Sequence, residues 1–361
     1  VIIGPKLTPN DPFSTQGLVM IDGQLTPPPF PPSEGFPWGT DALGRGILSL
    51  LISGAQITLT LATLAVAARL LIGVFAGSIA GWANGSLADR LISGFAEVIA
   101  AFPALLATMI VILAIGIRQG MQPFIIALCF VGWGEIMQFV RSEVTTIRPK
   151  QFIESAIAVG AGTPRLLTKH VLPNLFASLI ALAALEMGSV LMLLGELGFI
   201  AIFIGGGTLI ELPIMTMHYS DIPEWGALLS NIRIQARSYP WTGLYPMLAF
   251  FIAILSFNLL GEGIRRLVEQ GNPLLNKIVN RYTVILLLLA VFGYNYVTEN
   301  SGAIPYYRQH AQEFSLANTM QHIDLLTHPR MYGRALGSDG MHLAAFYNAL
   351  EFEKIGVQPG G

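Results

Sequence analysis

Charge is scarce in this chain. Asp, Glu, Lys and Arg together make up 12% of its 361 residues, against 53% for apolar types. Soluble globular domains carry about twice that share of charge, so a freely soluble fold is excluded and the expected solvent is a lipid bilayer. Cysteine is scarcer still: the single Cys129 lies inside an apolar run. That excludes a disulfide framework and a cysteine metal site, and it leaves Cys129 as a small core residue. A surplus of either charge is also missing, the formal net charge being −2, so nucleic acid is not an expected partner. His310, His322, His328 and His342 lack the paired spacing of metal ligands. The sequence therefore offers no metal site, no cofactor and no catalytic residue.

Long apolar runs are what the chain has instead. A helix that crosses the hydrocarbon layer needs about 20 largely apolar residues. Five runs meet that length, at 55–80, 92–117, 121–140, 175–204 and 242–260, separated by segments rich in Gly, Pro and charge. A sixth, Tyr282 to Val297, would be about 24 Å long as a helix and has to thin the bilayer locally to span it. Arg281 and Tyr282 flank one end of it and Tyr294 and Tyr296 the other, where amphipathic rings favour the interface. The fold class expected is all-α, a polytopic membrane helical bundle with a short soluble helical C-terminal segment.

Basic residues orient the bundle. Arg90, then Arg141, Arg148, Lys150, Arg165 and Lys169, then Arg265, Arg266, Lys277 and Arg281 fall in alternate connections, which places those connections in the cytoplasm. The connections around Arg118 and from Gly205 to Trp241, and the Pro-rich stretch Thr8 to Pro37, belong outside. If the sixth run spans, everything after Val297 is outside as well. The opening "VIIGP" reads as the tail of a spanning helix, and both ends of the chain read as incomplete. The expected organisation is the end of a first span and an external Pro-rich loop over 1–54, a transmembrane domain over 55–270, a linker with an additional span over 271–298, and a soluble segment over 299–361. In that last part Leu316, Met320, Ile323 and Leu326, then Leu343, Phe346 and Leu350, repeat at helical spacing and predict two amphipathic helices.

A long polar interruption lies between the third and fourth runs, "RSEVTTIRPKQFIESAIAVGAGTPRLLTKHVLPN" from Arg141 to Asn174. "FIESAIAV" and "TPRLLTKHV" predict two short helices broken at Gly160 to Gly162, where glycine tolerates turn dihedrals. Thr163 is the expected cap of the second helix, with Pro164 at its first position. A projecting helical elbow of this kind fits a groove on a soluble partner. Ionisable residues inside the runs are costly unless they face protein or water. Arg69, Glu186 and Glu196 are therefore possible lining residues of a translocation path, the alternative being an ion pair of Arg69 with Glu186 or Glu196 inside the bundle.

The interruption resembles the EAA loop of ABC import permeases: Glu154, Ser155 and Ala156 stand where that family has Glu-Ala-Ala, Gly160 follows at the family distance, and "HVLPN" closes the loop. "GTDALGRGILSLLISGAQITL", "LADRLISGFAEVIAAFP", "PEWGALL" and "LSFNLLGEGIRR" resemble, in order, further segments of the oligopeptide and dipeptide branch, so that the likeness covers roughly residues 1 to 270. Ser155 replaces the first alanine, Glu97 stands for a usual Asp, Gln138 for a common Arg, and "LGFIAIFIGGG" for "LSFLGLG". The resemblance implies the type I importer permease fold in a bacterial inner membrane. It also implies ABC ATPase subunits, a second permease subunit and an external solute-binding protein as partners, with peptides as the solute. By the same resemblance Glu154, Ser155, Ala156, Gly160, His170, Leu172 and Pro173 form the surface that couples to the ATPase. Catalysis then belongs to the ATPase partner.

The C-terminal piece, with Gly333, Arg334, Gly337 and Ser338 before a helix and "IGVQPGG", resembles the beginning of secreted zinc aminopeptidases. This keeps open a second reading, a membrane-anchored peptidase whose metal-binding residues would come later in the sequence.

Overall fold

The computed structural model describes residues 8–21, 24–211, 216–220, 222–269, 315–329 and 338–354. The sixth apolar run, Arg281, Gly333 to Gly337 and "IGVQPGG" lie outside the described residues. The chain divides into two compact units, 1–288 and 289–361.

The first unit is a helical bundle. Its long members are α1 (Ile47–Trp82), α4 (Gln122–Ile147), α7 (Leu172–Phe199) and α10 (Trp241–Glu269), with α2 (Leu87–Ala100) and α3 (Ala104–Ile115) between α1 and α4. Short helices α5 (Gln151–Ala158) and α6 (Thr163–Leu166) precede α7, and α8 (Trp225–Leu229) and α9 (Ile232–Gln235) precede α10. Two antiparallel hairpins, β1 (Val19–Ile21) with β2 (Gln24–Thr26) and β3 (Thr208–Glu211) with β4 (Thr216–Tyr219), lie in the connections. Four helices are long and apolar enough to cross a membrane, or five if the bent pair α2–α3 counts as one span. The helical membrane bundle expected from the sequence is the fold.

Three local expectations are corrected. The run at 92–117 is not one helix: α2 and α3 meet at 93°. Pro103 stands at the break as the N-cap of α3. Proline has no N–H to donate and disfavours helix in the residue before it, and the even apolarity of "AAFPALLA" hides that break from hydropathy. Gly162, not Thr163, is the N-cap of α6, with no side-chain cap, and Thr163 is already helical. The second elbow helix is also not a separate short piece. It runs through a π-helical turn at Leu167–Val171 into α7, making one helical span from Thr163 to Phe199. Pro173 supplies the reason, since its ring crowds the carbonyl four residues back and forces the helix to widen there.

The core runs the length of the bundle. Leu61, Ala62, Ala65, Ile112, Phe124, Leu128, Val190, Leu191 and Leu197 are buried together, and a second cluster joins Ile136, Val140, Val144 and Ile147 of α4 to Ile153, Val171 and Leu175. Along the α1–α4 seam, glycines remove the side chains that would hold the helices apart. A Cβ at Gly73 would meet Ile136 at 2.6 Å, one at Gly77 the Met137 carbonyl at 2.6 Å, and one at Gly81 the Arg141 carbonyl at 2.7 Å. Small residues four apart allow this close backbone approach between membrane helices.

Among the described residues the second unit holds α11 (Leu316–Thr327) and α12 (Asp339–Lys354). Ser315 caps α11 by accepting from the Asn318 amide. His322 Nδ1 and the Tyr347 hydroxyl are hydrogen-bonded across the two helices.

Candidate functional site

The elbow is built from the end of α4, the helix α5 and the start of the α6–α7 arm. Ile153 anchors it: fully buried, it packs among Val144, Ile147, Val171 and Leu175. The other faces of α5 look outward, leaving Phe152, Ile157 and Val159 exposed, the last at 86%. Glu154 and Ser155 are exposed beside them and Ala156 is half-buried. Glu154 sits in the first turn of α5, where the helix dipole favours a carboxylate.

Gly160 ends α5. Its φ is +83°, its amide bonds the Ile157 carbonyl at 2.8 Å, and the Ala161 amide reaches back to the Ala156 carbonyl at 3.0 Å. These two bonds make a Schellman cap, in which a left-handed residue satisfies carbonyls that the helix leaves unpaired. A Cβ at Gly160 would meet nothing within 4 Å, so the dihedral alone asks for glycine there. On the second arm His170 and Leu172 are half-buried and Pro173 is exposed. The Asn174 amide group donates to the His170 carbonyl at 2.6 Å, covering backbone that the π turn frees. The elbow thus presents an apolar knob with a carboxylate beside it on the short helix α5, next to a second arm that continues unbroken into a span.

Around the elbow's stem the basic residues are tied down. Arg141 of α4 donates from Nη2 to Asp89 Oδ2 of α2 at 2.9 Å, and Asp89 is buried. Asp89 also accepts from the Gly85 amide at 2.8 Å. Arg148 donates to the Trp82 carbonyl at 2.7 Å and lies over the Trp82 ring. The α1–α2 turn is therefore fastened to α4 just ahead of the elbow.

Of the three possible lining residues, Arg69 and Glu186 are brought together. Arg69 Nη1 and Glu186 Oε2 are 2.7 Å apart, and both residues are buried. Glu196 lies farther along α7, half-buried.

At the opposite end from the elbow, the connection before α10 closes over the bundle. Trp225 donates its ring N–H to the Leu51 carbonyl at 2.8 Å and its amide to Thr58 Oγ1 at 3.1 Å, and its ring meets Phe250 edge-on. Arg45 pairs with Asp41 at 2.7 Å and lies over Tyr219. Glu224 is buried and accepts from the Ile204 amide at 3.2 Å and the Gly226 amide at 3.3 Å. Burial pushes its carboxyl up from 4.5 to about 7, because desolvation outweighs the amide bonds that favour the charged form.

Sequence reasoning missed the Asp89–Arg141 clasp and the glycine seam. The four-residue spacing of Gly73, Gly77 and Gly81 was the available signal for the seam. Nothing in the sequence marks Asp89 as the partner of a residue on another helix. Among the described residues no group of three His, Cys, Asp or Glu is placed to hold a metal ion.

Residues 73–272 match the family described as binding-protein-dependent transport system inner membrane component. A dipeptide transport system permease protein of Alkalihalophilus pseudofirmus is 33% identical over 65% of this chain and 71% of its own length. An oligopeptide transport system permease protein of Bacillus subtilis is 28% identical over 73% and 78%. A glutathione transport system permease protein of Escherichia coli is 32% identical over 63% and 70%. Neither the family match nor these relatives support the aminopeptidase resemblance of the C-terminal piece. The chain belongs to the family of binding-protein-dependent transport system inner membrane components, as a multi-pass permease of the inner membrane.

Proposed function

We propose that this permease is the membrane-spanning subunit of an ATP-driven importer of peptides, moving its solute by alternating access while a partner ATPase supplies the energy. The observation that carries the reading is the elbow: an exposed apolar knob, Phe152, Ile157 and Val159, with Glu154 beside it, between two helices that continue into the bundle. A lid or tether has no use for such a surface, whereas a soluble ATPase that changes shape on binding nucleotide needs one to push. Its partners are ABC ATPase subunits, a second permease and an external solute-binding protein. The peptide assignment rests on relatives that act on dipeptides, oligopeptides and glutathione.

Coupling falls to Glu154, Ser155, Ala156, Gly160, His170, Leu172 and Pro173. The test is co-purification of the tagged permease with its ATPase, comparing wild type with Glu154→Arg and Gly160→Pro. Gly160→Pro removes an amide that caps α5 and demands a φ near −65° where the chain has +83°. The expected result is loss of the ATPase from both variants while the permease still elutes as a folded species. An ATPase that stays bound to both moves the coupling surface elsewhere, and a wild type that binds none removes the importer reading.

A further inference from the structure

Arg69 and Glu186 bury opposite charges within the apolar spans, each 4% exposed. One guanidinium connects three helices. Arg69 leaves α1, donates from Nε to the Leu128 carbonyl of α4 at 2.7 Å, and ends on Glu186 of α7 at 2.7 Å. It lies against bare backbone of α4, since a Cβ added at Gly132 would overlap its guanidinium carbon. Gly132 is thus a notch that admits the side chain between the helices.

Stability does not account for this arrangement. Taking two charges out of water costs several kcal/mol per ion, and well-packed apolar side chains of similar volume do as well or better. In some proteins a buried polar or ionic group instead fixes register between helices, because its contacts are directional. The surroundings show where register matters. From Gly73 to Gly81, α1 is locked onto α4 by backbone contact. Alongside, an open apolar groove of about 950 Å³ separates α1 from the elbow arm and α7, lined by Leu70, Val74, Ser78, Leu167, Phe176 and Leu179. The first elbow arm, α5, follows α4 after a break at 148–150, and the second continues into α7. Beside the groove Leu70 and Val74 of α1 pack against the cluster of Val171 and Leu175, apolar contacts that carry no direction, and the ion pair adds a directional contact between α1 and α7.

We infer that Arg69 and Glu186, seated on Gly132, are positioning residues for transport: they hold α7 in register with α1 and α4, so that a push on the elbow moves the three helices together. This rests on the importer reading above. Without the pair α7 can slip along α1, and the ATPase cycles without carrying the motion to the path.

The experiment uses the complete importer in proteoliposomes and reads labelled di- and tripeptides taken up per ATP hydrolysed. In one variant Arg69→Met is combined with Glu186→Leu, which removes both charges and leaves no orphan. In another, Gly132→Ala keeps both charges and displaces the guanidinium. Both are expected to hydrolyse ATP at close to the wild-type rate while the peptide-to-ATP ratio falls about tenfold or more, a coupling loss that a purely structural pair would not produce. A wild-type ratio in the double variant overturns the inference, and if that variant fails to assemble, a wild-type ratio in Gly132→Ala overturns it. A wild type that hydrolyses ATP but takes up no peptide fails at the solute assignment instead, and one that binds no ATPase fails at the importer reading.

Discussion

Arg141 and Asp89 close the elbow end of the bundle with a fork of two bonds, Nε to Oδ1 and Nη2 to Oδ2. The carboxylate is buried and also holds the Gly85 amide at 2.8 Å and the Ser93 hydroxyl at 3.3 Å. One side chain thus fixes the turn after α1, the first turn of α2 and the last part of α4. Asp89→Ala leaves an amide, a hydroxyl and a guanidinium without this acceptor. Because Arg141 is still 32% exposed and water can reach it, the cost is about 2–3 kcal/mol, below that of a fully buried broken pair. Thermal unfolding in detergent is the measurement, and a melting temperature equal to wild type would show that the clasp contributes nothing.

Much of this bundle was legible because a bilayer reduces the problem to run length. Four of the five expected spans are single helices, and the fifth was misjudged at Pro103, where hydropathy averages over a residue whose effect is on the backbone. The elbow was legible through Gly160, whose left-handed φ is a local requirement that sequence states directly. The π turn before Pro173 was not, since it depends on how two helical segments join. Nor could the sequence choose between Glu186 and Glu196 for Arg69, because both lie on one helix and only its rotation in the bundle decides which carboxylate faces α1. Pairings between distant segments, Asp89 with Arg141 above all, leave no local trace.

Glu224 gives the end of the bundle opposite the elbow a pH dependence. Its carboxyl is raised from 4.5 to about 7 by burial, so between those values the folded chain holds a proton that the unfolded chain has released. Stability from this group is therefore greatest at acid pH and falls as pH rises through about 7. Each pH unit across that interval is worth about 1.4 kcal/mol, which sets a ceiling of about 3 kcal/mol. Asp41, Arg45 and His218 line the same small cavity, so the comparison must be with Glu224→Gln, which keeps the acceptor for the Ile204 amide without the charge. The expected result is a melting temperature that falls from pH 5 to 8 in wild type and falls less in the variant. Parallel curves would mean that the carboxyl does not titrate in this range.

Ala201 occupies a glycine's position. It follows α7 with φ at +63°, its amide bonds the Gly198 carbonyl at 2.9 Å, and the Ile202 amide bonds the Leu197 carbonyl at 2.8 Å. That is the Schellman pattern seen at Gly160, made with a residue whose Cβ disfavours it by roughly 1–2 kcal/mol. Ala201→Gly regains part of this strain and gives some back in unfolded-state entropy. The net expectation is a gain of about 0.5–1 kcal/mol in thermal unfolding, and a loss would mean that the Ala201 methyl contributes packing that outweighs the strain.

The same substitution at two helical glycines should act in opposite directions. Ala normally stabilises a helix interior relative to Gly by about 1 kcal/mol, and at Gly94 of α2, where an added Cβ meets nothing within 4 Å, that preference should appear undiminished. At Gly77 of α1 the added carbon lands 2.6 Å from the Met137 carbonyl and 2.8 Å from Val140. Backbone rather than a flexible side chain would have to yield there, and overpacking of this kind costs about 1–3 kcal/mol. Gly94→Ala should therefore raise the melting temperature and Gly77→Ala lower it. If both rise, α1 and α4 are not held at backbone contact along Gly73, Gly77 and Gly81.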